Sequence, residues 1–164
     1  MLLGIMADTH DNLPKVSAAC AVFREHGVET IVHAGDFVAP FVLKVIARSG
    51  MPLVAVFGNN DGEGAGLRAA CDGIQDPPRR CTLGGRKVVI AHDPAELAGP
   101  VLEGADLLVH GHTHEAYVDI GPPMTVNPGE VGGWLTGRST VAVVDSDSMT
   151  AELIEIGSQE TVAL

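Results

Sequence analysis

The sequence predicts an α/β fold, with parallel strands and packed helices first and antiparallel strands last. Three observations lead there. Short apolar runs stop abruptly at clusters of Gly, Asp, Asn and His, as buried strands do. Segments between the first of these runs repeat their apolar residues with helical spacing. Beyond residue 114 the helical spacing disappears and only strand-like segments remain.

Leu2, Leu3, Ile5 and Met6 form the first strand, which ends in Asp8-Thr9-His10-Asp11-Asn12. Leu13-Pro14 opens a helix, since proline suits a first turn, and Val16, Ala19, Cys20 and Phe23 make its buried stripe up to Gly27. Thr30 to His33 is the second strand, ending in Ala34-Gly35-Asp36. Pro40 opens a second helix, with Phe41, Val42, Val45 and Ile46 expected to face inward and Gly50 to close it. Leu53 to Phe57 is the third strand, ending in Gly58-Asn59-Asn60-Asp61. Successive βα units of this kind imply parallel strands with helices outside.

Leu67 to Cys71 suits a short helix broken by Asp76-Pro77-Pro78. Cys81 to Leu83 and Lys87 to Ala91 read as a hairpin across Gly84-Gly85, its second strand ending at His92. Pro94 to Leu102 suits a short helix interrupted near Gly99-Pro100. Asp106 to Val109 is a strand ending in His110-Gly111-His112-Thr113-His114. Tyr117 to Ile120, Met124 to Val126, Thr140 to Val144 and Ala151 to Ile156 complete the pattern as strands. With no repeat or linker, residues 1–164 read as one domain.

Composition narrows the function classes. Apolar residues make up 46% and aromatics 4%, so a core of Val, Ile, Leu and Ala is expected rather than disorder. Ten Lys and Arg against 21 Asp and Glu give a net charge of −11, which argues against a nucleic-acid surface. No apolar run reaches membrane-span length, and no signal segment is recognisable at the N-terminus. The three cysteines are irregularly spaced, which suits reduced thiols and a cytoplasmic location rather than disulfides or a zinc ribbon. An acidic protein acting on anions needs concentrated positive charge, and bound cations supply it.

The strand ends supply Asp8 and His10, Asp36, Asn59, His92, and His112 with His114. In open α/β sheets, chemistry sits just past the carboxyl ends of the strands. These nitrogen and oxygen donors, with no cysteine among them, suit a pair of divalent ions, and imidazole favours Mn, Fe, Ni or Zn over Mg or Ca. Gly35, Gly58 and Gly111 directly precede Asp36, Asn59 and His112, where a tight turn or close backbone approach is needed.

The series Asp8-x-His10, Gly35-Asp36, Gly58-Asn59-x-Asp61, His92 and Gly111-His112-x-His114 resembles the motifs of calcineurin-like metallophosphoesterases. The chain's size resembles the small single-domain prokaryotic phosphodiesterase branch, the YfcE type, and Asn127-Pro128-Gly129 extends the match. The resemblance implies a four-layer α/β/β/α sandwich of two mixed sheets, with the late β-rich segment completing the second sheet. It implies that Asp8, His10 and His114 hold one metal, that Asn59, His92 and His112 hold the other, and that Asp36 bridges them. It also implies that Asp36, Asn59 and His92 serve the catalytic step, in which a hydroxide shared by the metals attacks phosphorus in line. Manganese comes first among the expected ions, with Ni, Fe, Co or Zn as alternatives. The implied substrate is a small phosphate ester, more a diester than a monoester, and relatives often form homodimers.

Three positions depart from the family pattern. Asn60 stands where larger relatives carry a histidine that protonates the leaving group, although the small branch usually lacks it. Asp93 follows His92 where glycine is common, and either distorts that loop or adds an anion near the second metal. Glu130 replaces a small hydroxyl residue and reads as a surface residue. Elsewhere, His26 reads as a helix-end residue, His33 as a hydrogen-bonded core histidine and His110 as a buried strand residue. Asp11 and Asn12 read as caps of the first helix and Asp61 as a partner of a ligand rather than a ligand. Trp134, the only tryptophan, suits either a rim of the site or a partner surface. The alternative functions are a non-catalytic metal-binding scaffold of the same fold, as in a retromer subunit, and a zinc hydrolase of a different bond. The full ligand set argues against the first and the missing His-Glu-x-x-His pattern against the second.

Overall fold

The parallel arrangement expected of the first three strands is present. A computed structural model describes residues 1–157 and gives β1 (Leu2–Met6), β2 (Thr30–His33) and β3 (Leu53–Val56) as parallel neighbours. Residues 158–164 of the expected domain lie outside the described residues. Helices α1 (Leu13–Glu25), α2 (Phe41–Ala47) and α3 (Gly64–Ala70) follow these strands in turn. A two-residue strand β4 (Ile74–Gln75) extends the sheet beside β3.

A second sheet begins with the hairpin β5 (Arg79–Leu83) and β6 (Arg86–Ile90) and continues through β7 (Leu107–Val109). β8 (Tyr117–Asp119) and β9 (Met124–Asn127) complete it in the order β5-β6-β7-β9-β8. The last strands, β10 (Thr140–Asp145) and β11 (Thr150–Glu155), return to the first sheet, whose order is β11-β10-β1-β2-β3-β4. The late segment is therefore divided between the sheets rather than confined to the second. Nor is it wholly antiparallel, because β9 runs parallel to β7. Both sheets are mixed, as expected.

Side-chain alternation along β1 explains the layering. Leu3 and Ile5 face the second sheet and pack with Val88, Ile90, Leu107, Val109 and Val126. Met6 faces the helices, in the cluster that holds Val16, Ala19, Cys20 and Phe23 of α1. Gly4 lies under the Phe23 ring, which any Cβ there would meet at 2.9 Å. The expected α1 stripe is buried throughout, and Asn12 caps the helix, its side chain accepting from the Lys15 amide. In α2 Val42 and Ile46 are buried as expected and Val45 packs against the core, but Phe41 does not. Phe41 is 58% exposed and Leu43 is buried instead, because the helix starts at Phe41 with Val42, Leu43 and Ile46 turned to the core.

The outer layer on the second sheet consists of two 3-10 turns, Pro94–Glu96 and Gly99–Leu102, where one interrupted helix was expected. Arg80 of β5 ties down the second turn by donating to the carbonyls of Val101 and Glu103 at 2.6 and 2.8 Å. No helix among the described residues is long and apolar enough to cross a membrane.

Candidate metal centre

The carboxyl ends of β1, β2 and β3 in one sheet and of β6 and β7 in the other meet at one place. All seven donors expected from the sequence converge there. Oxygen and nitrogen atoms of Asp8, His10 and His114 lie within 4.8 Å of one another, as do atoms of Asp8, Asp36 and His92. Asp8 Oδ1 is 3.4 Å from His114 Nε2 and 3.9 Å from His10 Nε2. On the other side Asn59 Oδ1 lies 2.9 Å from His92 Nε2 and 3.0 Å from His112 Nδ1, with the two ring nitrogens 3.3 Å apart. Asp36 Oδ2 sits between the groups, 3.5 Å from His10 Nε2 and 3.4 Å from His92 Nε2.

The backbone is strained to achieve this. Asp8, His10, Asp36, His112 and His114 adopt φ of 51°, 40°, 63°, 68° and 60°, in the left-handed region that side chains with a Cβ avoid. The preceding glycines serve close approach. A Cβ on Gly111 would sit 2.6 Å from Asp8 Oδ2, one on Gly35 would sit 2.8 Å from His92 Nδ1, and one on Gly58 would overlap the Asp36 carboxylate. Only Gly35 among the three also needs a positive φ.

Burial and the close packing of charges shift the titratable groups of this cluster. Burial pushes the Asp8 carboxyl up to about 7, against the pull of His92 and His114. Burial also opposes ionisation of Asp36, but His92 and Asn60 outweigh it and hold this carboxyl well below the usual range. Burial likewise works against charging His92, yet Asp36 prevails and raises the ring to about 9. His10 is lowered by burial. Asp8 Oδ1 and His10 Nε2 are buried without a hydrogen-bond partner among the described residues. Buried polar atoms are ordinarily paired, and a divalent cation is a partner that both of these atoms fit. The donors are hard oxygens and imidazole nitrogens, which suits divalent ions.

Surrounding residues hold the donors in place. Asp61 accepts from the amides of Asp36, Val38 and Gly58 at 3.2, 2.8 and 2.7 Å, joining the β2 and β3 turns as expected of a supporting residue. Asn60, read from the sequence only as a departure, donates its amide N–H to Asp36 Oδ1 at 2.8 Å and its side-chain amide to Oδ2 at 2.7 Å. Asp93 caps the 3-10 turn after His92, accepting from Ala95 N at 2.8 Å, so it closes that turn. His33 is buried, accepts from the Gly35 amide, pairs with Thr9 Oγ1 at 3.2 Å and stacks on Phe37. Burial lowers it to about 3, so it is a neutral core histidine. His110 is buried beyond the end of β7, with Nδ1 donating to the Gly111 carbonyl and Nε2 accepting from the Tyr117 hydroxyl.

Glu130 is not the surface residue expected; it is 1% exposed. After Gly129 the chain runs beside the end of β1, with Val131 and Gly132 donating to the carbonyls of Ala7 and Asp8. That path turns Glu130 inward, where Oε2 accepts from His114 Nδ1 and from Trp134 N, both at 3.1 Å. Oε1 accepts from Leu135 N, Thr136 N and the Thr136 hydroxyl at 3.0, 2.5 and 2.7 Å. Burial raises this carboxyl, but the Thr136 and His114 hydrogen bonds outweigh it, and Glu130 stays ionised below its ordinary range. A signal was present in the sequence, since Glu130 is the only charged residue from Met124 to Leu135.

The model of the calcineurin-like phosphoesterase superfamily domain matches residues 1–149. The chain belongs to that superfamily. As a calcineurin-like phosphoesterase it is a hydrolase of phosphate esters; the family implies divalent metals, and Asp8, His10 and His114 and Asp8, Asp36 and His92 are groups able to hold one. It is 35% identical over 159 residues to phosphodiesterase MJ0936 of Methanocaldococcus jannaschii, covering 90% of this chain and 94% of that one. A solved archaeal phosphodiesterase superposes with a TM-score of 0.84 at 32% identity, covering 94% of this chain and 99% of that one. The fold is shared with YfcE, a phosphoesterase from E. coli, at a TM-score of 0.67 and 23% identity over 96% of this chain and all of that one.

Proposed function

We propose that this phosphoesterase is a phosphodiesterase with a dinuclear centre. Asp8, His10 and His114 hold one ion, Asn59, His92 and His112 hold the other, and Asp36 serves both. The observation that carries this reading is the convergence of seven donors from five strand ends, with Asp36 Oδ2 3.5 Å from His10 in one set and 3.4 Å from His92 in the other, and with Asp8 Oδ1 and His10 Nε2 left unpaired. When bound, paired divalent ions stabilise charge on the phosphoryl oxygens and supply a hydroxide nucleophile at neutral pH. The carboxylate and amide oxygens suit manganese, and the imidazoles also accommodate nickel, iron, cobalt or zinc.

The chain's own residues prepare the site. His92 and Asn60 keep Asp36 ionised, and Asn60 and Asp61 hold it in place, so the shared carboxylate needs no reorganisation. Glu130 holds the proton of His114 on Nδ1, leaving Nε2 free toward Asp8. The preference for diesters follows from two features. Among the described residues no Lys or Arg lines the clefts on either side of the donors, so no side-chain cation there meets the second charge of a monoester. The Asn60 amide is too weak an acid to protonate a departing alkoxide, so good leaving groups are favoured.

The test is to measure bound metal, then compare bis-p-nitrophenyl phosphate with p-nitrophenyl phosphate under Mn, Ni, Co, Zn and Mg added singly. The reading expects faster diester hydrolysis with Mn. A metal-free protein inactive on both esters with every ion would overturn it, and full activity in Asp36→Asn would remove the shared carboxylate.

A further inference from the structure

Beside the donors lies an apolar surface that hydrolysis of a phosphate does not require. Trp134 and Leu135, 65% and 79% exposed, form one side of a cleft of ≈ 300 Å³ whose other walls are His10, Asn60 and His114. The indole is fixed, not loose. Its Nε1 donates to the His10 carbonyl at 3.2 Å, its backbone N–H donates to Glu130, and its Cδ1 lies where a Cβ on Gly132 would approach to 2.9 Å. The Leu135 N–H is held by the same carboxylate at 3.0 Å. Gly132 in turn donates to the Asp8 carbonyl, so the platform is tied to the chain at Asp8 and His10, two of the donors.

Resting on the phosphodiesterase reading, we propose that Trp134 and Leu135 are the subsite for one ester arm of the substrate, and that this arm carries a planar aromatic or heteroaromatic ring. A rigid exposed indole offers its π-face at little entropic cost, and ring stacking suits it better than an alkyl chain does. The cleft lacks Lys and Arg, so it does not select a second phosphate or a longer anionic chain. The ligand class is therefore a mono-anionic diester with an aryl or nucleobase-bearing arm.

Trp134 is the only tryptophan, so selectively excited tryptophan fluorescence reads this subsite alone. With the metals loaded, adenosine 5′-monophosphate is expected to quench it and methyl phosphate is not. In parallel, thymidine 5′-(p-nitrophenyl phosphate) and methyl p-nitrophenyl phosphate, which share a leaving group, are compared in the wild type, Trp134→Ala and Trp134→Phe. The thymidine-to-methyl ratio of kcat/KM is expected to fall about tenfold in Trp134→Ala, mainly through KM, and to recover in Trp134→Phe. Equal losses on both esters, or no quenching by adenosine 5′-monophosphate, would overturn the subsite while leaving the phosphodiesterase intact. Quenching by the nucleotide without hydrolysis of either diester would sustain the subsite and overturn the phosphodiesterase reading.

Discussion

Replacing Glu130 by Gln changes one oxygen to an NH2 and leaves the shape almost unaltered, yet the consequence is large. The amide oxygen can stay with Leu135 N, Thr136 N and the Thr136 hydroxyl, which all meet Oε1. The new NH2 then faces His114 Nδ1 and the Trp134 N–H. The imidazole can accept from it only by moving its proton to Nε2, the nitrogen aimed at Asp8. The Trp134 N–H is left without a partner, and every bond to Oε1 loses its charge assistance. An unpaired buried donor costs about 1–3 kcal/mol, so the sum is about 2–4 kcal/mol. At roughly 2–4 °C per kcal/mol for a domain of this size, the melting temperature falls by about 5–15 °C. Manganese affinity at the Asp8, His10 and His114 donors falls about 10–100-fold, and less at the other set. Calorimetric melting of the metal-free protein and a two-site titration measure both. A melting point within a degree of wild type, with both affinities unchanged, would refute the role assigned to Glu130.

Other consequences follow from the same geometry. Gly58→Ala drives a methyl into the Asp36 carboxylate, and diester hydrolysis is expected to drop about 100-fold, with about 1–3 kcal/mol lost in denaturant melts. His112 has a φ of 68°, so His112→Gly should be more stable than His112→Ala by about 1 kcal/mol, although both lose the donor. In the metal-free protein Asp36 keeps His92 protonated up to about 9, and an incoming metal must displace that proton. Affinity at the Asn59, His92 and His112 donors therefore rises with pH up to about 9, with proton release visible by titration in buffers of different ionisation enthalpy.

The parts of the molecule that were readable in the sequence are those governed by local physics. Each strand that feeds the centre is a short apolar run, each ends in a polar turn, and the α1 stripe repeats with helical spacing. Close approach explains why glycine precedes Asp36, Asn59 and His112. What was not readable depends on contacts distant in sequence. The pairing of β10 with β1 and the parallel register of β9 with β7 have no local signature. β4 is two residues long and exists only because β3 offers an edge. Phe41 and Leu43 both satisfy an apolar pattern, and only the start of α2 decides which is buried. The burial of Glu130 follows from where residues 130–132 lie against β1, a contact more than a hundred residues apart. In the sequence Asn60 stands out only as the absence of an acid, whereas its position gives it a task of its own, holding Asp36 from two sides.

In the proposed centre, seven donors form two adjacent cation sites that share Asp36. Crystals grown with manganese, measured at the manganese absorption edge, test it directly. Two anomalous peaks are predicted, one among Asp8, His10 and His114 and one among Asn59, His92 and His112, both within bonding distance of the Asp36 carboxylate. A single peak under saturating manganese, or peaks away from Asp36, would contradict it.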